Sequence, residues 1–390
     1  MVRQQRIVIV GAGIVGLSTA YALLTQGMRK VTVVEQVVID HKRSSSHGFS
    51  RLLRFEYGPD AFYSHMVTLS LNRWRNLERV AGCRLYTPTG LLVLGNEDDN
   101  FTREAYHTVR GLGLPAEQLS KENCELRFPL FDTQPYDIRT YNHVAGILHA
   151  STCLQALRDL VLDLGAEIYE SSRVTQLTCD DPLRPVRLFL STGTEISADR
   201  VVLATGSWVH HLLADLHLPV RMTCQYLLYF AGLPASLFSA GTFPAFIAGD
   251  LYGFPIHKGC NGWVKATSHA FGFSVDPDKV SPPDDQVITG ITSQLRELLP
   301  MLNHAEIARI DSCIYDVTPD EDFILDRLPS DPRVIFASGL SGHGFKFGVL
   351  LGELLSSMVC DTQPPVPLDR FRLSRFPYRQ ALCSHHLVYK

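Results

Sequence analysis

Glycines at 11, 13 and 16 stand in the order G-x-G-x-x-G, and a carboxylate, Glu35, follows 19 residues after the last of them. Far along the chain, "SGLSGHGFKFGVLLGELL" (residues 338–355) sets five glycines, His343 and Lys346 around the start of a second apolar run. Both patterns suit an electron-rich ligand. In the first, Gly11 permits a tight turn, Gly13 lets a pyrophosphate approach the backbone, and Gly16 lets a helix pack closely on a strand. The helix beginning near Ile14 and Val15 offers N–H groups and a partial positive charge to phosphates. Glu35, with Gln36 beside it, stands where a carboxylate accepts hydrogen bonds from a ribose diol. An acid there suits an adenosine ribose without a 2′-phosphate, so FAD or NAD and not NADP. The motif alone does not separate those two.

One loop suffices for one pyrophosphate, so the second strand–glycine–helix unit must face another group. A flavin fits. Its reduction places negative charge on the N1–C2=O edge, which a helix N-terminus and a nearby cation stabilise. On this reading Gly342 and Gly344 let the backbone touch the flat ring, and His343, Phe345 and Lys346 lie beside it.

These residues need elements to position them. Residues 7–10, 31–34 and 331–339 read as buried strands, and 17–24 and 347–358 as helices. Helical spacing predicts further helices over 64–80, 98–112, 153–164 and 286–299, with Trp74 as plain core packing. Strands are expected around 86–94 and at 166–169, 174–178, 187–190, 200–205, 225–230 and 262–267. The strand at 200 ends in Ala204-Thr205-Gly206, like a second dinucleotide fingerprint. Residues 40–58 show little periodicity, and 362–371 read as an extended tail linker.

The chain has 390 residues, 45% of them hydrophobic, enough for two domains. Its net charge of −4 gives no reason to expect nucleic acid or an anionic membrane as partner. The longest apolar runs are strand-sized, and nothing reads as a targeting segment, so a cytoplasmic protein is expected. Nine scattered cysteines without C-x-x-C speak against a zinc site or disulfide framework.

"GLSGHGFKF", "CIYDVTPDEDFILDRLP" (313–329) and "SSSHGFSRLLRFEYG" (44–58) together resemble the monomeric sarcosine oxidase family, which includes N-methyltryptophan oxidase and pipecolate oxidase. The likeness runs in order from residue 7 to about residue 375. It implies an α/β protein with a glutathione-reductase-type FAD-binding Rossmann domain and a mixed-sheet substrate domain. The expected division is 1–84, 146–221 and 311–390 for FAD, and 85–145 and 222–310 for the substrate.

The resemblance further implies a covalent thioether between FAD and Cys313. It implies Arg54 and Lys346 as the pair holding a substrate carboxylate, a bidentate guanidinium plus a point charge. Arg51 and His47 are expected near the flavin ring, and Lys265 is expected to promote oxygen reduction. His269, Tyr252, Tyr315 and His343 are expected in the substrate pocket. Arg43, Ser45, Ser46, Val174, Ala204, Gly206 and Trp208 complete the expected cofactor contacts. The segments 243–250 ("FPAFIAGD") and 256–262 ("IHKGCNG") depart from the family pattern where the substrate's side chain would sit.

The implied activity is an FAD-dependent oxidase of secondary amino acids, acting on N-methyl or cyclic substrates and releasing hydrogen peroxide. Molecular oxygen is the acceptor, no membrane or nucleic acid takes part, and the chain acts as a monomer. No side chain is needed as a strong base, and the rate should rise with pH until a lysine loses its proton. Three alternatives stay open: an FAD dehydrogenase passing electrons to another partner, an NAD-dependent dehydrogenase, and a non-catalytic flavin-binding protein.

Overall fold

The computed structural model describes residues 4–376, except 180 and 281. Its first body is a six-stranded sheet in the order Ile324–Leu328, Asp331–Ser338, Arg200–Leu203, Arg6–Val10, Lys30–Val34, Glu167–Tyr169. All neighbours are parallel except the hairpin of the first two. The β-branched runs that suggested buried strands are buried: Ile7, Ile9, Val33, Val334 and Ile335 are fully enclosed. Parallel strands covered on both faces read as continuous apolar runs, as these do.

Two helices, Ile14–Thr25 and Gly348–Cys360, pack against each other beside this sheet. Glycine makes the approach possible. A Cβ on Gly348 would overlap the Ile14 side chain, and one on Gly352 would overlap the Ser18 backbone. These two glycines are four residues apart, so they share one helix face. The close crossing brings together two helices that begin more than three hundred residues apart in the chain.

A second sheet has nine strands. Its path is Phe273–Ser274, Arg221–Ala231, Val264–Ser268, Leu251–Phe254, Ala245–Ala248, Leu91–Gly95, Ile138–Asn142, Ala116–Gln118, and the long strand Glu306–Val317 also pairs Arg221–Ala231. The sequence reading named no strand over 306–317, which crosses residue 311, where a domain boundary was expected. Smaller sheets are formed by Val174–Thr178 with Val186–Leu190 and Glu195–Ala198, and by Arg51–Leu53 with Gly146–Leu148 and Tyr86–Thr87.

Most predicted helices are present: Ala61–Ala81, Asn100–Gly111, Ala150–Asp163 and Asp285–Leu298. Trp74 is fully buried and lies parallel to the Phe345 ring, with centroids 6.2 Å apart. It also anchors the second glycine loop, because its Nε1–H donates to the Lys346 carbonyl at 2.8 Å.

The expected tail linker is not a free linker. Val366, Leu368 and Phe371 are buried, and Phe371 stacks on Phe323 at 5.6 Å. Arg370 bridges Asp60 (2.6 Å) and Asp322 (2.7 Å). Apolar residues at 366, 368 and 371 find a groove beside Phe62 and Phe323, which a short prolyl segment does not reveal. Among the described residues, no helix is long and apolar enough to cross a membrane.

Candidate active site

One cavity of about 820 Å³ runs between the two bodies and is lined by both glycine loops, Gly11 and Gly13 at one and Gly342 to Lys346 at the other. The first loop is tightly packed. Gly11 has φ +103°, and a Cβ there would overlap the Ala204 carbonyl. Gly16 is off the cavity wall; its missing Cβ makes room for the Gly11 carbonyl, the close helix–strand packing expected of it. Ser46 Oγ accepts the Ile14 N–H at 3.0 Å, and Ser45 Oγ donates to the Ile314 carbonyl at 2.6 Å. Glu35 accepts from Ala12 N–H (2.8 Å) and Val37 N–H (3.2 Å), so it ties the glycine loop to the end of the second strand. Ile14, Val15, Gln36, Val174, Ala204, Gly206 and Trp208 also line the cavity.

The nine-stranded sheet supplies the other wall, and its period of two explains which residues it offers. Pairing places Tyr229 opposite Lys265, Lys265 opposite Phe254, Tyr252 opposite Thr267, and Ile247 opposite both Tyr252 and Val93. On the long strand, Cys313 and Tyr315 pair with Gln225 and Thr223. Residues directly opposite share a face, and so do residues two apart on one strand. Lys265, Cys313, Tyr252 and Tyr315 therefore meet on one surface although they come from three separate strands.

Lys265 is 3% exposed. Its Nζ donates to the Ser50 carbonyl at 3.1 Å, and Arg51 Nη1 donates to the same oxygen at 2.9 Å. Arg51 is further held by the carbonyls of Ser45 (2.9 Å) and His47 (2.5 Å). Two cations thus converge on one carbonyl. Burial, with Arg51 adding repulsion, brings the Lys265 pKa down to about 7. Cys313 is buried on the same wall, and its thiol pKa is pushed up by burial while Arg51 and Lys265 oppose the rise. Burial raises Tyr252 to about 12 and Tyr315 well above its ordinary value. His269 faces this wall with its pKa brought down to about 4, by burial first and then by Arg54 and Lys346.

At the second loop the Lys346 ammonium is buried. It donates to the Tyr57 hydroxyl (2.8 Å) and to the His343 carbonyl (2.9 Å). Burial and the neighbouring Arg54 hold its pKa well below the ordinary lysine range, with Glu56 opposing them. His343 hydrogen-bonds Tyr57 through Nδ1 (3.1 Å) and the Glu321 carbonyl through Nε2 (3.0 Å). Burial, then Lys346, keeps its pKa well below 6.5. The Arg54 guanidinium lies 4.6 Å from the centre of the Tyr57 ring, and its Nη1 is buried without a hydrogen-bond partner among the described residues. An orphaned donor of that kind is costly and marks a missing acceptor.

Two expectations are corrected, those for His47 and Arg43. Gly342 and Gly344 line the cavity, and their absent side chains also make room for protein: a Cβ would lie 2.5 Å from the Tyr315 ring at Gly342 and 2.7 Å from Leu340 at Gly344. Gly342 also has φ +73°, so the loop's own geometry demands glycine there. His47 is off the cavity wall. Its Nδ1 is 2.8 Å from Asp40, and it reaches the site only through its carbonyl on Arg51. Arg43 is half exposed and points to Asp278 (3.6 Å) beside Trp208 instead of into the cavity.

The sequence reading missed Glu56, Tyr57, Tyr63, His41 and Arg370, all on the cavity wall. Glu56 is buried, accepting from Asn142 Nδ2 and Phe55 N–H, both at 2.8 Å. Tyr57 follows Arg54 by three residues in a segment without periodicity, so no local pattern marked it.

The chain belongs to the FAD dependent oxidoreductase family, whose profile matches residues 6–358. It is 32% identical over 381 residues to the peroxisomal sarcosine oxidase of Mus musculus, covering 95% of each chain. It is 29% identical over 379 residues to the N-methyl-L-tryptophan oxidase of Yersinia pestis (strain Pestoides F), covering 95% of this chain and 99% of that one. In fold it is similar to the crystal structure of L-proline dehydrogenase from P. horikoshii, with a TM-score of 0.83, 20% identity, and 95% and 97% of the two chains covered. FAD is therefore its cofactor. The residues present fit that group: one cavity joins the two loops, and buried Thr205 Oγ1 beside the first lacks a partner among the described residues.

Proposed function

We propose that this enzyme oxidises a secondary amino acid, an N-methyl or cyclic one, with oxygen as electron acceptor and hydrogen peroxide as product. The carrying observation is the meeting of Arg54 and Lys346 in the cavity that the FAD-family glycine loop lines. A buried lysine beside a guanidinium whose buried Nη1 has no partner among the described residues favours a carboxylate ligand strongly. Bound there, the substrate presents its amine toward the sheet wall of Tyr252, His269 and Tyr315. Their raised phenol and lowered imidazole pKa values keep all three neutral near pH 7, so the wall repels neither amine nor carboxylate.

FAD, when bound, accepts the two electrons of the oxidation. Gly11, Gly13, Ser46 and Glu35 would hold its dinucleotide end, and Cys313 would hold it covalently. Lys265 and Arg51 keep positive charge beside the wall where oxygen must be reduced. With sarcosine, water and oxygen consumed, the products balance as glycine, formaldehyde and hydrogen peroxide. The reading keeps a division into 1–84, 146–221 and 311–390 for the cofactor and 85–145 and 222–310 for the substrate, except that the strand Glu306–Val317 belongs whole to the nine-stranded sheet. A monomeric, cytoplasmic enzyme completes the reading, which gel filtration and cell fractionation test.

The test is a peroxide assay with sarcosine, L-pipecolate, L-proline and N-methyltryptophan on the purified yellow protein. Colour should stay with the acid-precipitated pellet, and leave it in Cys313→Ser. If none of these amines bleaches the flavin anaerobically, the amino-acid reading is wrong.

A further inference from the structure

The protons around Lys346 are assigned from one end of a hydrogen-bond chain. The Glu321 carbonyl can only accept, so His343 Nε2, 3.0 Å away, carries a proton. Held neutral by its surroundings, His343 then has an accepting Nδ1. The Tyr57 hydroxyl, 3.1 Å from that nitrogen, must donate to it. Its oxygen is thereby left to accept from Lys346 Nζ, 2.8 Å away. A second Lys346 N–H goes to the His343 carbonyl at 2.9 Å. In the ammonium form one N–H of three is uncommitted.

The same tyrosine also touches the other cation, since its ring face carries the Arg54 guanidinium at 4.6 Å. Tyr63 also stacks on the Tyr57 ring, at 5.1 Å and 18°, which fixes the plane. The Lys346 backbone is pinned as well, by Trp74 Nε1 and Ser70 Oγ on its carbonyl. Tyr57 thus touches both halves of the pair, Lys346 through its hydroxyl and Arg54 through its ring.

We propose that Tyr57 is the positioning residue of the carboxylate site: its hydroxyl aims the uncommitted Lys346 N–H, and its ring holds Arg54, at a single anionic ligand. This rests on reading Arg54 and Lys346 as a carboxylate clamp. Tyr57 touches neither reacting bond, so its effect falls on binding and not on the chemical step.

Acetate, titrated calorimetrically into the holoenzyme, is the probe. Tyr57→Phe keeps the ring and removes the hydroxyl. It should weaken acetate about tenfold and raise the amino-acid KM by the same factor, with kcat changed less than about twofold. In a Lys346→Met background the same substitution should cost nothing further. Equal acetate affinity in wild type and Tyr57→Phe overturns the proposal. So does an undiminished loss in the Lys346→Met background, which would mean a general structural role. If the wild type itself does not bind acetate, the clamp reading fails first and this proposal falls with it.

Discussion

The two glycine loops share a plan, strand then glycines then helix, but they use glycine differently. In the first loop Gly11 and Gly16 fit one backbone against another, and the side chains at the helix start are apolar. In the second loop Gly342 clears space for Tyr315 and Gly344 for Leu340, and the loop carries two titratable side chains into the cavity. The second places particular charges. On the proposed reading the first loop holds FAD, and the second, with its partners, sets the charge beside it.

Breaking the first loop should have the largest effect. Gly11→Val puts a β-branched residue at φ +103° against the Ala204 carbonyl. The expected product is a colourless protein with peroxide formation lost in proportion to FAD content. Normal flavin content in that variant would show that the cradle tolerates a side chain.

A change on the sheet wall should separate the half-reactions. Lys265→Met should slow reoxidation of the reduced enzyme by oxygen about a hundredfold or more and leave anaerobic reduction by substrate nearly unchanged. Stopped-flow measurement of both halves decides it, and equal effects on both would remove Lys265 from oxygen chemistry.

The wild type sharpens the same contrast through pH. Lys265, brought down to about 7, is charged below that pH and neutral above it. Reoxidation should therefore slow as pH rises through about 7. Reduction should speed up over the same range, as more of the substrate amine is free. Parallel slopes for the two halves would contradict the assignment.

The smallest expected effect concerns how the loops are brought together. Gly352→Ala forces a methyl group into the Ser18 backbone at the crossing of the two helices. Overpacking of this kind costs about 1–3 kcal/mol, a melting temperature lower by several degrees. An unchanged melting temperature would mean that the helices separate easily.

Much of this was legible beforehand. The strand–loop–helix unit at residues 6–25 is marked by glycine spacing and an apolar run within one short segment, and the apolar periods of the long helices are equally local. Arg54, Lys265, Cys313 and Lys346 were picked out by resemblance, and all four line one cavity. His47 and Arg43 were picked out the same way and lie off its wall. The strand Glu306–Val317 escaped notice because its polar first half, "EIARIDS", lacks an apolar run. It is ordered by long antiparallel pairing with Arg221–Ala231. The tail was misread for a related reason: Arg370 has its partners at Asp60 and Asp322, far away in the chain.

The sequence by itself determined the dinucleotide cradle, the buried parallel strands and the chemical types available to the site. Those follow from backbone freedom at glycine and from apolar spacing, which act over a few residues. Only the tertiary structure decided that Tyr57 joins Lys346 to His343, that Arg51 and Lys265 share one carbonyl, and that Gly342 serves Tyr315. Those contacts join residues up to 289 positions apart, and a hydrogen bond across such a distance depends on how whole sheets and helices pack.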